Sequence, residues 1–368
     1  MSEGSEYSSA SQQPVPDGAT AEKVRRRWPR AIATAITVIL LIAAAGAAAA
    51  VYLNSPARNS AIEVPFVVKK GETLDSIANR LAGQHLIRSS LFLRLLGKFS
   101  GTGTDIQAGH YALKASMTTN AIQQTFVSGR QMLFRVTIPE GFTISQIAER
   151  LQNEGITTKA DFVNASRDPS ILARFHIPAQ DAQGFLFPDT YLFPKDYPAT
   201  EVVATMIENF FSRLKTVYPD YPQLTPKELL AKLTLASIVE REYVSPDEAP
   251  LIASVFYNRL RAHMRLESCA TVVYVMTELD GLPHPDRVYY RDLQRPSPYN
   301  TYLHAGLPPG PISNPGLTSL NAAFHPAKSD YWYFVLQSAG ATHHRFSKSL
   351  AEHDRAAVYY LKTLDTHS

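Results

Sequence analysis

Three observations predict an α+β protein carried on one N-terminal membrane helix. Residues 31–53 run 23 positions without a charge, and a strand, turn and helix segment recurs at an offset of 70 residues. From residue 181 onward, Pro- and Tyr-rich stretches mix helix and strand signals. A chain of 368 residues, 45% hydrophobic and 10% aromatic, has material for two or three packed domains.

Residues 1–30 read as a disordered tail, rich in Ser, Gln, Gly and Glu in its first 22 positions. The run from Ala31 to Leu53 is long enough, at ~1.5 Å per residue, to cross a hydrocarbon core of ~30 Å. Lys23, Arg25, Arg26, Arg27 and Arg30 crowd its N-terminal side beside Trp28. That asymmetry predicts a cytoplasmic N-terminus and places the remaining residues outside the membrane. Ala48 and Ala50 form the pattern of a signal-peptide cleavage site, but a run this long after a polar leader reads as an anchor.

The formal charge is +3, and residues 1–30 account for +1 of it with five basic and four acidic groups. The balance excludes a binder held by nucleic-acid phosphates. Cys269 is the only cysteine, so neither an intramolecular disulfide nor a paired-cysteine metal or redox site can form. No HExxH is present, and His343-His344 reads as a loop or edge pair. Neither metal nor cofactor is expected. Cys269 itself reads as a small core residue.

Val67 to Leu81 (VVKKGETLDSIANRL) and Thr137 to Leu151 (TIPEGFTISQIAERL) are the two copies of the repeat. Gly71 and Gly141 take the turn, and Thr73 and Thr143 are N-cap candidates, the second with Gln146 completing a capping box. Leu74, Ile77, Ala78 and Leu81 recur as Ile144, Ile147, Ala148 and Leu151 at helical spacing. These residues resemble the opening of LysM modules, which bind N-acetylglucosamine polymers. A LysM-like region is therefore expected over residues 62–170, either as a glycan binder or as a scaffold.

Residues 181–368 are expected to form a mixed α+β catalytic domain. Thr225-Pro226-Lys227-Glu228 opens a helix with an N-cap, a proline at the first position and a capping glutamate. Leu233 to Val239 carries no charge, which predicts burial on all sides, and the run stops at Glu240-Arg241-Glu242. Glu240 continues the stripe Leu229, Leu233, Ala236, so its carboxyl should emerge among apolar atoms and hold a proton more tightly than usual. Glu242 lies about 200° further round and belongs to another surface. On this helix alone, both could be ordinary end-of-helix carboxylates.

Six segments occur in order: GFLFPDTY (184–191), LASIVERE (235–242), VFYNRL (255–260), YNTY (299–302), GLPPGPISNPG (306–316) and HPAK (325–328). Together they resemble the endolytic murein transglycosylase, or YceG-like, family over nearly all of residues 65–365. The resemblance implies a peptidoglycan lytic transglycosylase with Glu240 as catalytic acid and base. It would face the periplasm from the inner membrane and end glycan strands beside peptidoglycan synthases. Where many members read L-Q-[ST]-D-P-T-V after the VFxNRL segment, this chain has Leu266-Glu267-Ser268-Cys269-Ala270-Thr271-Val272. That departure weakens any substrate role for the stretch.

Asp189, Tyr191, Tyr299 and Asn300 sit in Pro-rich loop contexts and are candidates to bind sugar hydroxyls; each could equally serve its own turn. Tyr331 to Val335 reads as a buried strand. A lysozyme-type hydrolase would need a second carboxylate near Glu240, for which Asp189 is the best candidate. A non-catalytic wall-binding scaffold is the third alternative.

Overall fold

The computed structural model describes residues 28–365; of the expected tail over residues 1–30, residues 1–27 with four of the five basic residues lie outside the described residues, and Trp28–Arg30 belong to the first helix. Helix α1 (Trp28–Asn54) contains a stretch, Ala31–Asn54, long and apolar enough to cross a membrane. Among the described residues, its side chains from Ala31 to Val51 are exposed.

A small unit follows: β1 (Glu63–Val68), α2 (Leu74–Gly83), α3 (Ser90–Ser100), β2 (Gly109–Lys114) and α4 (Thr119–Val127). β1 pairs antiparallel with β2, from Glu63 opposite Lys114 to Val68 opposite Gly109. One face of this hairpin packs Phe66, Val68, Tyr111 and Leu113 against Ile77 and Leu81 of α2, Leu93 of α3 and Phe126 of α4. The alternating burial of β2 and the three- and four-residue spacing on α2 are what bring these side chains to one side.

The larger unit comprises β3 (Phe134–Thr137), α5 (Ile144–Asn153), α6 (Lys159–Ala165), α7 (Pro169–Arg174), β4 (Thr190–Phe193), α8 (Ala199–Val217) and α9 (Pro226–Val239). It continues with α10 (Ala249–Arg261), α11 (Cys269–Tyr274), α12 (Leu317–Phe324), β5 (Tyr333–Leu336), β6 (His344–Ser347) and α13 (Leu350–Asp365). β3–β4 and β5–β6 are two antiparallel pairs, so the described chain is mixed α+β, with its helices around short hairpins rather than on one broad sheet.

The two copies of the repeat lie in different cores. Ile77, Ala78 and Leu81 belong to the small one, whereas Ile144, Ile147, Ala148 and Leu151 join Phe185, Phe210, Leu233 and Leu320 in the large one. The packing thus divides the expected 62–170 region near residue 130. The reason is the strand partner: β1 pairs with β2 inside the small unit, but β3 pairs with β4, some fifty residues on.

Two further expectations are corrected. Cys269 is exposed at the start of α11, its Sγ 3.1 Å from the Tyr302 hydroxyl, and is not a core residue. The aromatic run Tyr331 to Val335 becomes β5 only from Tyr333, and that strand is half-buried because it forms the edge of a two-stranded pair.

Candidate active site

Helix α9 aims the site. Thr225 accepts the Glu228 N–H while Glu228 accepts the Thr225 N–H, closing a capping box with Pro226 at the first position. Leu233, Leu235, Ala236, Ile238 and Val239 are fully buried, and α12 and α10 pack against the helix. Truncating one such leucine to alanine costs about 2–5 kcal/mol, so the direction of the helix is strongly held.

Glu240 is the C-cap of α9, its N–H donating to Ala236 O at 2.9 Å. Oε2 accepts the Gly316 N–H at 2.8 Å and the Ser319 hydroxyl, and Oε1 accepts the Tyr243 hydroxyl at 3.3 Å. Gly316 and Ser319 are the N-cap and third residue of α12, so the carboxylate meets the donor end of that helix. Burial nevertheless pushes the Glu240 pKa above the ordinary carboxylate range. The hydrogen bonds from Ser319 and Gly316 pull the other way, and the charge of Glu140 adds to the rise.

The Pro-rich loop 306–316 holds this arrangement in place. Ile312 N–H donates to Ser237 Oγ, and Ser313 Oγ donates to Ser237 O, both at 3.0 Å. Asn314, fully buried, is the central tie: its Oδ1 accepts the N–H groups of Gly184 and Leu186, and its Nδ2 donates to Phe142 O. Its backbone oxygen accepts the Gly141 N–H at 2.9 Å. One side chain therefore joins the GFLFP segment, the second repeat turn and the loop that feeds α12.

Through this tie the second repeat reaches the site. Gly141 has φ +75°, and a Cβ there would lie 3.5 Å from Glu240 Cγ and 3.4 Å from Arg241. Glu140, exposed at the tip of the same turn, lays its carboxylate against Gly316, where an added Cβ would collide with it. Gly316 donates to Glu240, so ideal backbone geometry bounds the nearest oxygens of Glu140 and Glu240 at about 7 Å. Gly141, Gln146, Arg241, Tyr274, Glu278 and His284 line a recess beside this pair.

Glu242 faces elsewhere. It accepts the Ser268 hydroxyl, and burial pushes its pKa up to about 7 against that hydrogen bond and the nearby Arg241 and Arg259 charges.

The other sequence candidates occupy structural positions. Asp189 Oδ2 accepts Arg213 at 2.8 Å and Asn209 at 3.1 Å, both on α8. Burial alone would raise its pKa, but the hydrogen bonds from Asn209, the Thr190 N–H and Arg213 hold it below the usual range. It shares no partner with Glu240, and the second carboxylate at the site is Glu140 instead. Tyr191 is buried, with its hydroxyl donating to Phe187 O at 2.6 Å and accepting from Asn209. Asn300 is fully buried and bridges Leu293 O, Arg295 O and the Tyr302 N–H. These polar groups tie loops together, as buried polar groups must when water is excluded. Tyr299 is half-buried, its ring 5.0 Å from that of Tyr274 at the recess.

Sequence reasoning missed Glu140, Asn314, Gly316 and Ser319. The repeat singled out the Glu140–Gly141 turn, but no local spacing tells that it meets a helix end a hundred residues later. Among the described residues no cluster of His, Cys, Asp or Glu could hold a metal ion.

These features define a mixed α+β protein with one buried carboxyl of raised pKa at the end of an apolar helix and a second carboxylate across a glycine. The chain belongs to the YceG-like family, whose pattern matches residues 66–358. It is 33% identical over 322 residues to a Bacillus subtilis (strain 168) protein named endolytic murein transglycosylase, covering 83% of this chain and 87% of that one. A Streptococcus pneumoniae (serotype 2, strain D39) protein of the same name is 28% identical over 332 residues; the chain spans 60% of its length. Among solved structures, a YceG-like protein of Listeria monocytogenes matches with a TM-score of 0.53 and 31% identity, covering 80% of this chain and 98% of that one.

Proposed function

We propose that the protein is an endolytic lytic transglycosylase of peptidoglycan with Glu240 as both acid and base. The observation that carries the reading is a single carboxyl at the end of α9 whose burial favours its protonated form. Protonated Glu240 gives its proton to the glycosidic oxygen between N-acetylmuramic acid and N-acetylglucosamine, and the bond from that oxygen to muramoyl C1 breaks. The muramoyl 6-hydroxyl then attacks C1, the Glu240 carboxylate takes the hydroxyl proton, and a 1,6-anhydro end forms with no water consumed.

Ser319, Tyr243 and the Gly316 N–H hold the carboxylate while it is charged. Glu140 contributes negative charge facing the positive charge that develops on the sugar ring. The relatives' shared name supports this substrate class. Of the four loop residues expected to touch sugar, only Tyr299 is retained in that role, because its half-buried ring packs against Tyr274, which lines the recess. Asp189, Tyr191 and Asn300 are positioning residues.

The localisation extends the same reading. α1 crosses the inner membrane with its N-terminus in the cytoplasm, and the catalytic unit works on nascent strands in the periplasm beside the synthases. The β1-α2-α3-β2 part of the small unit is read as a LysM-like module, with α4 added to it.

The test is mass spectrometry of glycan released from purified peptidoglycan by the full chain in detergent, with Glu240→Gln beside it. Internal fragments with 1,6-anhydro ends, lost in the variant, are expected. One observation favours a second reading, hydrolysis: Glu140 sets a second carboxylate across Gly316 from Glu240, and glycosidases work with a pair of carboxyl groups. Reducing ends would establish that reading, and no cleavage by folded protein would make the chain a wall-binding scaffold.

A further inference from the structure

Helix α3 carries an apolar stripe that no other described residue covers. Leu91, Leu95 and Phe99, at steps of four, are 61%, 43% and 84% exposed, while Leu93 and Gly97 on the opposite side are buried. The stripe runs along one face for about 12 Å. Its helix, SLFLRLLGKFS, contains no acidic residue and carries Arg94 and Lys98.

The same helix is attached to the end of α1. Arg88, just before α3, stacks over the Tyr52 ring at 4.6 Å and donates to Ser55 Oγ at 3.0 Å. At the start of α4, Thr119 donates to Leu53 O at 3.2 Å, and the Asn120 N–H donates to Asn54 Oδ1 at 2.9 Å. The connecting segment is tied down as well, with Arg58 N–H donating to Ala115 O and Ser116 N–H donating to Ser60 O. The membrane helix therefore runs straight into the small unit through a hydrogen-bonded joint, and α3 stands where the hydrocarbon ends.

We propose that α3 lies on the membrane surface with Leu91, Leu95 and Phe99 set into the headgroup layer of the bilayer that α1 crosses. Leucine and phenylalanine on one face, with Lys98 beside them and Arg94 paired to Asp75 of α2, is the amphipathic composition of a helix that rests in the membrane interface. The bilayer is the occupant the joint brings within reach. With α1 and α3 both held by lipid, the small unit cannot swing on its anchor, and the height of the catalytic unit above the membrane is fixed. A fixed height limits cleavage to a set depth in the wall.

The inference rests on α1 crossing the membrane, and the experiment separates the two. The full chain carrying Cys269→Ser is placed one copy per nanodisc in phosphatidylglycerol-containing lipid. Single cysteines at Leu40, Leu95, Phe99 and Lys159 are labelled with an environment-sensitive dye, and quenching by lipid-attached nitroxides is measured. Leu40 reports the anchor, and Lys159, exposed on the large unit, is the aqueous control. Strong lipid quenching at 95 and 99, at least several-fold above that at 159, is expected. Quenching at 40 with aqueous signals at 95 and 99 would overturn the proposal while leaving the anchor intact. Aqueous signals at 40, 95 and 99 together would remove both.

Discussion

The two copies of the repeat share a backbone and differ in what meets their turns. Gly71 and Gly141 have φ of +76° and +75°, and Thr73 and Thr143 each cap the following helix with a side-chain oxygen. Around Gly71 nothing would touch an added Cβ, whereas around Gly141 the side chains of Glu240 and Arg241 would. At the residue before the glycine, Lys70 in one copy is Glu140 in the other. In the first copy the charged group that matters is Glu72, which accepts two hydrogen bonds from Arg80 at 2.7 and 2.8 Å and locks its own unit. A local motif fixes the shape of a turn; its neighbours in space decide whether the turn holds a fold together or shapes a reaction.

Alanine at the two glycines is the harshest way to break that comparison. Each substitution places a side chain at positive φ, a strain of about 1 kcal/mol. At Gly141 the new methyl only reaches van der Waals contact with Glu240 and Arg241. A turn that shifts to relieve the strain takes its contacts with Glu240 along, however, and if Glu240 is the acid and base a misplacement of up to about 1 Å costs about 10- to 100-fold in rate. Gly141→Ala should therefore lower kcat on purified peptidoglycan by that factor, and Gly71→Ala should lower only stability. Equal losses of activity from both would show that the turns act alike.

The next contrast is Glu140→Gln against Lys70→Gln. Glu240 is faced by Glu140 from the repeat turn, by Tyr243 and Arg241 from its own segment, and by uncharged Ser319 and Gly316 from α12. Burial is the largest cause of its raised pKa, and the Glu140 charge adds to it. Removing that charge lowers the pKa, so the acid form is lost at lower pH. The alkaline limb of the kcat/KM profile should move to lower pH, with activity lost on the alkaline side of that limb. Lys70→Gln should leave the profile in place. A purely structural Glu140 would change the height of the curve without moving its limbs.

What could be read in the sequence follows the range of the forces involved. The capping box of α9, its apolar run and the break at Glu240 are local, and the structure has them at those residues. The uncharged run of α1 is local too. Partner choice is not: identical apolar spacing in α2 and α5 says nothing of which core each joins, and that depended on β3 finding β4. Asn300 and Tyr191 read as loop residues open to sugar because their neighbours are polar and Pro-rich. Such loops are also where buried side chains must satisfy irregular backbone, and Asn300 does so with three hydrogen bonds. Asn314 is hidden for the same reason, since nothing beside it along the chain signals that the N–H groups of Gly141, Gly184 and Leu186 and the Phe142 carbonyl converge on it.

Glu72→Gln carries the smallest effect and tests the scaffold side of the comparison. Burial of Glu72 works to raise its pKa, but hydrogen bonds from Arg80, Ser76 and the Lys69 N–H outweigh it and hold the carboxyl at about 2. Because the folded value lies below the ordinary 4.5, the charged pair adds stability above about pH 4.5, and that contribution is lost as pH falls towards 2. Arg80 is partly exposed, so its solvent screening keeps the expected loss from Glu72→Gln near 1 kcal/mol. Amide exchange of β1 and α2 at pH 7 should speed up in the variant while α9 is unaffected, and the difference should shrink as pH is lowered below 4.5. Slowed cleavage with unchanged exchange would instead place the first turn, like the second, in the service of the reaction.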